Sequence, residues 1–489
     1  MQKYNRRDFL CAMGLAGFSV ALSKGHAFMK EPPQRPNVLF IAVDDLRPQL
    51  GCYGQAHIHS PNIDRLAREG LLFERTYCQQ AICMSSRASL MSGYRPDKGE
   101  IYLNGPLYKH VPGALSLNKH FLANGYKTVS MGKIYHHQSD EEEGWSSLAY
   151  HPEGDWVGKG YLTEEARKLV REYTRKNPNA KRQGVGPAFE SADVPDNAYA
   201  DGKTADRAIS EMSRLKNTPF FMAVGFIKPH LPFSAPKKYW DLYPEEKIEL
   251  AKNPFVPEGA PHEALTTWGE LRGYHGMPKE GSMPDDLARQ LIRGYYACVS
   301  YTDAQIGRVL NELDRLGLRE NTVVILWGDH GWKLGDHGMW CKHTNFDIDT
   351  HVPMLLSAPG MKTRGKKTRA LTEFVDIYPT LCDLCDLEKP GHLEGLSMVP
   401  LLENPQRPWK KAAFSQYPRS NAMGYSMRTD RYRYTEWRSR KSGEVVGREI
   451  YDHDRDPAEN RNIAAHGKNA KLAVKLSAML RDGYQALRP

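Results

Sequence analysis

Asn37-Val38-Leu39-Phe40-Ile41-Ala42-Val43-Asp44-Asp45 is an unbroken apolar run that ends on two adjacent carboxylates. Apolar residues without alternation mark a strand buried on both faces, the situation of a parallel sheet covered by helices on each side. Four further runs have the same texture, at residues 126–131, 219–225, 322–327 and 352–356. The first four of the five runs lead into polar groups: Asp44-Asp45, Lys133 with His136, Lys228-Pro229-His230, and Asp329-His330. In open α/β sheets, ligands bind beyond the carboxyl ends of the strands, so these endings are expected to meet at one site. The fold class expected is α/β, with a large mostly parallel sheet sandwiched by helices and a small C-terminal α+β subdomain carrying a short antiparallel sheet.

The rest of the chain fits around that core. Residues 98–218 and 254–281 are rich in Gly, Pro, Glu and Lys and read as long excursions that wall a cleft. Beyond about Leu402 the sequence alternates, as in Tyr432-Arg433-Tyr434-Thr435, and the last turns read as a helix from about Ala470 to Leu487. Residues 5–10 read Asn-Arg-Arg-Asp-Phe-Leu and precede an apolar stretch well short of the ~20 residues needed to cross a bilayer, which looks like a twin-arginine export signal. The expected division is a signal peptide at 1–27, a catalytic domain at 28–404 and a C-terminal subdomain at 405–489. The chain is then periplasmic or extracellular, with no integral membrane span once the signal is removed.

Composition narrows the partners. The 489 residues carry 67 Lys+Arg against 58 Asp+Glu, a net charge of +9, with 40% hydrophobic and 26% charged residues. Those proportions exclude a polytopic membrane protein, collagen and wholesale disorder. No long Lys/Arg run tracks a nucleic acid, so a small or polymeric anion is the natural partner. Cys382 and Cys385 lie in an amphipathic helical pattern with no second Cys/His pair nearby, and read as buried thiols rather than a redox or zinc pair.

Cys83-Met84-Ser85-Ser86-Arg87 opens a helix that Gly93 closes. A cysteine at a helix N-terminus sits at the positive end of the macrodipole, and Arg87 one turn on adds a cation. The environment suits an anion. Taken with residues 36–48, 60–67, Gly132-Lys133-Ile134-Tyr135-His136, Lys228 to Phe233, Asp329-His330-Gly331-Trp332 and Trp340-Cys341-Lys342, the segment resembles the type I sulfatases of the alkaline phosphatase superfamily, and within them the iduronate-2-sulfatase branch.

That resemblance implies a reaction and a set of roles. Cys83 would be oxidised to formylglycine by a formylglycine-generating or anaerobic sulfatase-maturating enzyme, and the aldehyde hydrate would attack the sulfur of a sulfate ester. Asp44, Asp45, Asp329, His330 and the modified Cys83 would bind a divalent cation, calcium with magnesium as the alternative. Arg87 would hold the hydrate, while Lys133 and Lys342 would clamp sulfate oxygens. His230 would protonate the leaving alkoxide and His136 would serve as base in the elimination, although the two could be exchanged. The implied substrate is a sulfated saccharide, a 2-O-sulfated uronic acid, with His343 touching it and Trp332 either stacking on a sugar ring or packing in the core. Two positions depart from the family pattern: Ser85, where Pro or Ala is usual, and Ser92, where Thr is usual. The rival readings are a phosphomonoester or phosphonate hydrolase of the same superfamily, and a sulfoglycan-binding protein without catalysis.

Overall fold

The computed structural model describes residues 35–139, 141–153, 160–179 and 185–489. The leader at 1–27 lies outside the described residues. In chain order the main strands are β1 (Asn37–Val43), β2 (Leu71–Tyr77), β3 (Lys127–Gly132), β4 (Phe220–Phe226), β5 (Thr322–Gly328), β6 (His351–Ser357) and β7 (Lys366–Thr368). They lie in the order β7-β2-β6-β5-β1-β4-β3, and the short strand Thr372–Glu373 joins β2 to complete an eight-stranded sheet. β1 runs parallel to both neighbours, and β3 extends the parallel side. Only β6 runs against its two neighbours. All five expected runs are strands of this sheet.

Alternate residues of β1 feed two cores, as the pleat requires. Leu39, Ile41 and Val43 pack with helices α1 (Pro61–Glu69), α3 (Ala200–Leu215) and α4 (Asp285–Arg315). Val38, Phe40 and Ala42 pack on the other side with α2 (Cys83–Ser92) and α5 (Ile377–Leu384). Burial on both faces is therefore why β1 has no polar residue between Asn37, at its start, and Asp44. Cys382 and Cys385 are buried free thiols, as expected.

Two helices that the sequence reading had absorbed into irregular excursions or passed over, α3 and α4, do much of the positioning. Every residue of α4 from Gly294 to Asp303 is buried, so its polar groups are bonding groups rather than a solvent face. The Asp303 carboxylate accepts the N–H groups of Asn62 and Ile63 at 3.1 and 2.7 Å, satisfying the start of α1. Asp201 in α3 accepts the N–H groups of Ile227 and Lys228, both at 2.8 Å, and so pins the loop that follows β4.

The C-terminal part is a four-stranded antiparallel meander, β8 (Ala412–Pro418), β9 (Ala422–Thr429), β10 (Tyr432–Ser439) and β11 (Val445–Asp452). Helix α6 (Ala470–Ala486) covers it through Leu476 and Leu480, which meet Met427, Tyr434 and Ile450. β8 is tied to the approach to α2, because Gln416 donates its backbone N–H to the Gln79 carbonyl at 2.8 Å.

Candidate active site

Parallel register brings the carboxyl ends of β1 and β5 side by side, with Val43 opposite Gly328. Asp44 and Asp45 therefore emerge next to Asp329 and His330. Asp45 has φ 59, in the left-handed region, and its N–H donates to Asp329 Oδ1 at 2.9 Å. A non-glycine residue in that conformation is held by its surroundings, a mark of sites where a side chain must be aimed. At the end of β3, the Lys133 N–H donates to the Gly225 carbonyl at 2.9 Å. A Cβ at Gly225 would lie 2.1 Å from the Lys133 carbonyl oxygen, so only glycine allows β4 to pass that close.

Helix α2 begins at Cys83, and all ten of its residues are buried. Gly93, with φ 75, closes it as expected. Cys83 Sγ lies 3.2 Å from His330 Nε2 and 3.8 Å from Asp45 Oδ1. Ser85, one of the two unusual positions, is satisfied by donating to the Ile101 carbonyl at 2.9 Å. Ser92 donates to the Ala88 carbonyl at 2.7 Å.

Fixed cations surround these acids. Arg87 Nε donates to Asp329 Oδ2 at 2.8 Å, Nη2 to Asp44 Oδ1 at 3.3 Å, and Nη1 to the carbonyls of Lys133 and Ile134. Lys133 Nζ bonds Asp44 Oδ2. Lys342 Nζ reaches Asp45 Oδ1 and Oδ2 at 3.0 and 3.1 Å. Burial on its own raises the Asp44 carboxyl, but Lys133, His230 and Arg87 outweigh it and hold the group well below the usual carboxylate range. Asp329 goes the other way, raised by burial with Asp44 adjacent. Burial, with Asp44 adding to it, pushes the Cys83 thiol well above its ordinary value, so the unmodified side chain is a neutral thiol rather than a thiolate nucleophile.

The donor set fits a divalent cation. Atoms of Asp44, Asp45, Cys83 and His330 all lie within 4.8 Å of one another and are buried. His330 Nδ1 is 2.9 Å from the Gly331 carbonyl, which only accepts, so Nδ1 carries a proton and Nε2 is the atom turned toward Asp45 Oδ1, 3.3 Å away. A ring nitrogen and a carboxylate oxygen that face each other at this distance could both be ligands of one cation. Asp329 borders the cluster, its oxygens committed to the Asp45 N–H and to Arg87.

The two candidate proton-transfer histidines differ in setting. His230 Nδ1 is held by the Leu231 carbonyl at 2.7 Å, leaving Nε2 facing the site. Lys228 braces this turn by donating to the carbonyls of His230 and Pro232 at 3.0 and 2.6 Å. His136 is half-buried, and burial followed by the nearby Lys133 lowers it to about 3, so it is a neutral imidazole at any working pH.

The substrate-contact expectations divide. His343 lies at the site, with Nδ1 2.7 Å from the Tyr417 hydroxyl. Trp332 is corrected: it is 0% exposed, with Phe233 edge-on at 6.3 Å, and has no face to offer a sugar. Its ring instead underlies Lys342 Nζ at 4.7 Å. The residue that sequence reasoning missed is Glu270, whose carboxylate lies 3.1 Å from His230 Nε2 and 2.9 Å from Lys342 Nζ. It comes from an excursion with no periodic or motif signal, and nothing in the sequence pointed to it.

The sequence pattern of the sulfatase family matches residues 36–387, and that of the N-sulphoglucosamine sulphohydrolase C-terminal region matches 335–485. Iduronate 2-sulfatase of Mus musculus is 34% identical, over 96% of this chain and 98% of its own. Iduronate 2-sulfatase of Homo sapiens is 34% identical, over 87% of this chain and 90% of its own. The phosphonate monoester hydrolase of Agrobacterium radiobacter superimposes with a TM-score of 0.73 at 23% identity, covering 92% of this chain and 95% of that one, a likeness of fold alone.

Proposed function

The chain belongs to the sulfatase family and is a sulfuric ester hydrolase, and from that premise we propose that it removes the sulfate of a 2-O-sulfated uronic acid in a saccharide, using a formylglycine made from Cys83 and a divalent cation, calcium before magnesium. The observation that carries the reading is the setting of Cys83. Its Sγ lies at the start of a buried helix, 3.2 Å from His330 Nε2 and 3.8 Å from Asp45 Oδ1, in a cluster where Lys133 and Lys342 also bond the acids. A neutral buried thiol has no use for so many charged groups of both signs, whereas a nucleophile that meets a sulfate ester beside a bound cation does.

Asp44, Asp45, Asp329 and His330 would hold the cation, which when bound polarises the sulfate oxygens. The hydrated aldehyde at position 83 supplies one hydroxyl to accept sulfate and a second whose deprotonation lets sulfate leave. Arg87 fixes the carboxylates of Asp44 and Asp329 in place. Lys133 and Lys342 offset the charge that grows on the sulfate oxygens. His230, with Nδ1 anchored, delivers a proton from Nε2 to the departing sugar oxygen. His136, kept neutral, is suited to accept one in the second half-reaction. His343 and Tyr417 edge the place where the sugar would lie. A twin-arginine leader would export the chain already folded, so that conversion of Cys83 and metal loading would both precede export to the periplasm or beyond.

The test is a panel of defined sulfated mono- and disaccharides offered to the matured, metal-loaded protein, with free sulfate measured. Selective release from 2-O-sulfated uronides supports the reading. Release confined to other positions overturns the choice of substrate, and no release at all overturns the reaction.

A further inference from the structure

Glu270 lies beside His230, Lys342 and His343 at the edge of the site. Its carboxylate is 20% exposed and belongs to the short helix Gly269–Arg272, inside an excursion that walls the site. Oε1 is 3.1 Å from His230 Nε2, and Oε2 is 2.9 Å from Lys342 Nζ and 3.6 Å from His343 Nε2. Two of these partners are the groups assigned to the leaving oxygen and the sulfate, so Glu270 borders both halves of the scissile bond. Lys342 and His230 outweigh the effect of burial and hold its carboxyl well below the usual range, so it is an acceptor with no proton to give.

A leaving oxygen within hydrogen-bond reach of His230 Nε2 shares that nitrogen with Glu270 Oε1. Oxygens on adjacent ring carbons of a sugar are separated by about one hydrogen-bond length. The oxygen on the carbon next to the ester is therefore within reach of the Glu270 carboxylate when the ring turns that carbon toward Oε1. We propose that Glu270 accepts a hydrogen bond from a free hydroxyl on the ring carbon adjacent to the sulfate ester. The enzyme thus selects isolated sulfate esters with a vicinal hydroxyl and rejects vicinal disulfates. The inference rests on the hydrolase reading above. It adds a group that identifies substrate through its neighbouring oxygen: a hydroxyl donates to the carboxylate, while an ether has no hydrogen to donate and a second sulfate faces it with like charge.

The experiment compares kcat/KM of the matured, metal-loaded enzyme on three methyl iduronosides: the 2-sulfate, its 3-O-methyl ether and the 2,3-disulfate, with an aryl sulfate as reference. The wild type is expected to favour the 2-sulfate over each of the others by at least about ten-fold. In Glu270→Gln the ratio of 2-sulfate to 2,3-disulfate should shrink at least about five-fold, chiefly through KM for the disulfate. Structural damage lowers both rates and leaves the ratio standing, so an unchanged ratio overturns the proposal. Should Glu270→Gln fail to fold, the wild-type comparison decides alone, and equal rates on the 2-sulfate and the 2,3-disulfate overturn it. A wild type that cleaves the aryl sulfate but shows no preference defeats the Glu270 inference only. One that releases sulfate from nothing defeats the reading beneath it.

Discussion

His230 presents Nε2 to Glu270 Oε1 at 3.1 Å while the Leu231 carbonyl holds its Nδ1 at 2.7 Å. The imidazole is fixed at both nitrogens, and Lys228 fixes the backbone beneath it. An acid so held is aimed at one place, which is what proton delivery to a poor leaving group needs.

Removing that acid should therefore matter in proportion to the leaving group. His230→Gln is expected to lower kcat on a sugar sulfate by roughly 10²–10⁴-fold, with a much smaller loss on 4-nitrophenyl sulfate, whose phenolate leaves unaided. Steady-state rates on the two substrates check this, and equal losses on both would remove His230 from the acid role.

Lys342 is expected to act on the sulfate rather than on the sugar. Lys342→Met should reduce kcat by roughly 10²–10³-fold on sugar and aryl esters alike. The same change leaves Glu270 and Asp45 facing each other without their shared cation, so the melting temperature should fall as well, measured by scanning calorimetry.

Trp332 supports this lysine from below. Truncation to Ala at a fully buried position should cost about 3–5 kcal/mol in unfolding free energy. Urea titration measures it. Trp332→Phe, which keeps an aromatic face under Lys342, should retain most of the activity and most of the stability. A Trp332 that contacted sugar would instead raise KM selectively.

How much of this was legible in the sequence follows from burial and distance. β1, β4 and β5 announce themselves because both faces are buried, so each reads as a continuous apolar run. β2 escaped notice because Glu74 and Arg75 interrupt it. α4 escaped because it is buried nearly all round along its middle, and polar residues such as Ser300, Thr302 and Asp303 blur any apolar stripe. Asp44, Asp45, Asp329 and His330 were readable because they follow strands that the topology brings together. Glu270 was not, since its contacts with His230 and Lys342 exist only in three dimensions. Trp332 was misread in one of its two alternatives because proximity to His330 in sequence says nothing about which way the ring turns.

His136 gives a pH signature. Its folded value of about 3 lies below the ordinary histidine value of 6.5, owing to burial and then Lys133. The unfolded chain binds a proton there between those values and the folded chain does not, so stability rises with pH across that window. The contribution is fully present above about 6.5 and is lost as pH falls toward 3. His136→Asn should therefore show a smaller drop in melting temperature between neutral and mildly acidic buffer than the wild type. An identical drop would show that His136 is not held neutral.

The acid cluster predicts a dependence on metal. Chelation should abolish sulfate release and lower the melting temperature, because Asp44, Asp45 and Asp329 then face one another with only lysine and arginine to balance them. Titrating calcium, and separately magnesium, into the stripped protein while following both readouts identifies the resident ion.

The most direct trial of the account is release of inorganic sulfate from a 2-O-sulfated uronide by matured, metal-loaded protein, set beside Cys83→Ala prepared identically. The account predicts steady turnover by the native chain and none by Cys83→Ala. Equal release by both, or none by the native chain from any sulfate ester, would contradict it.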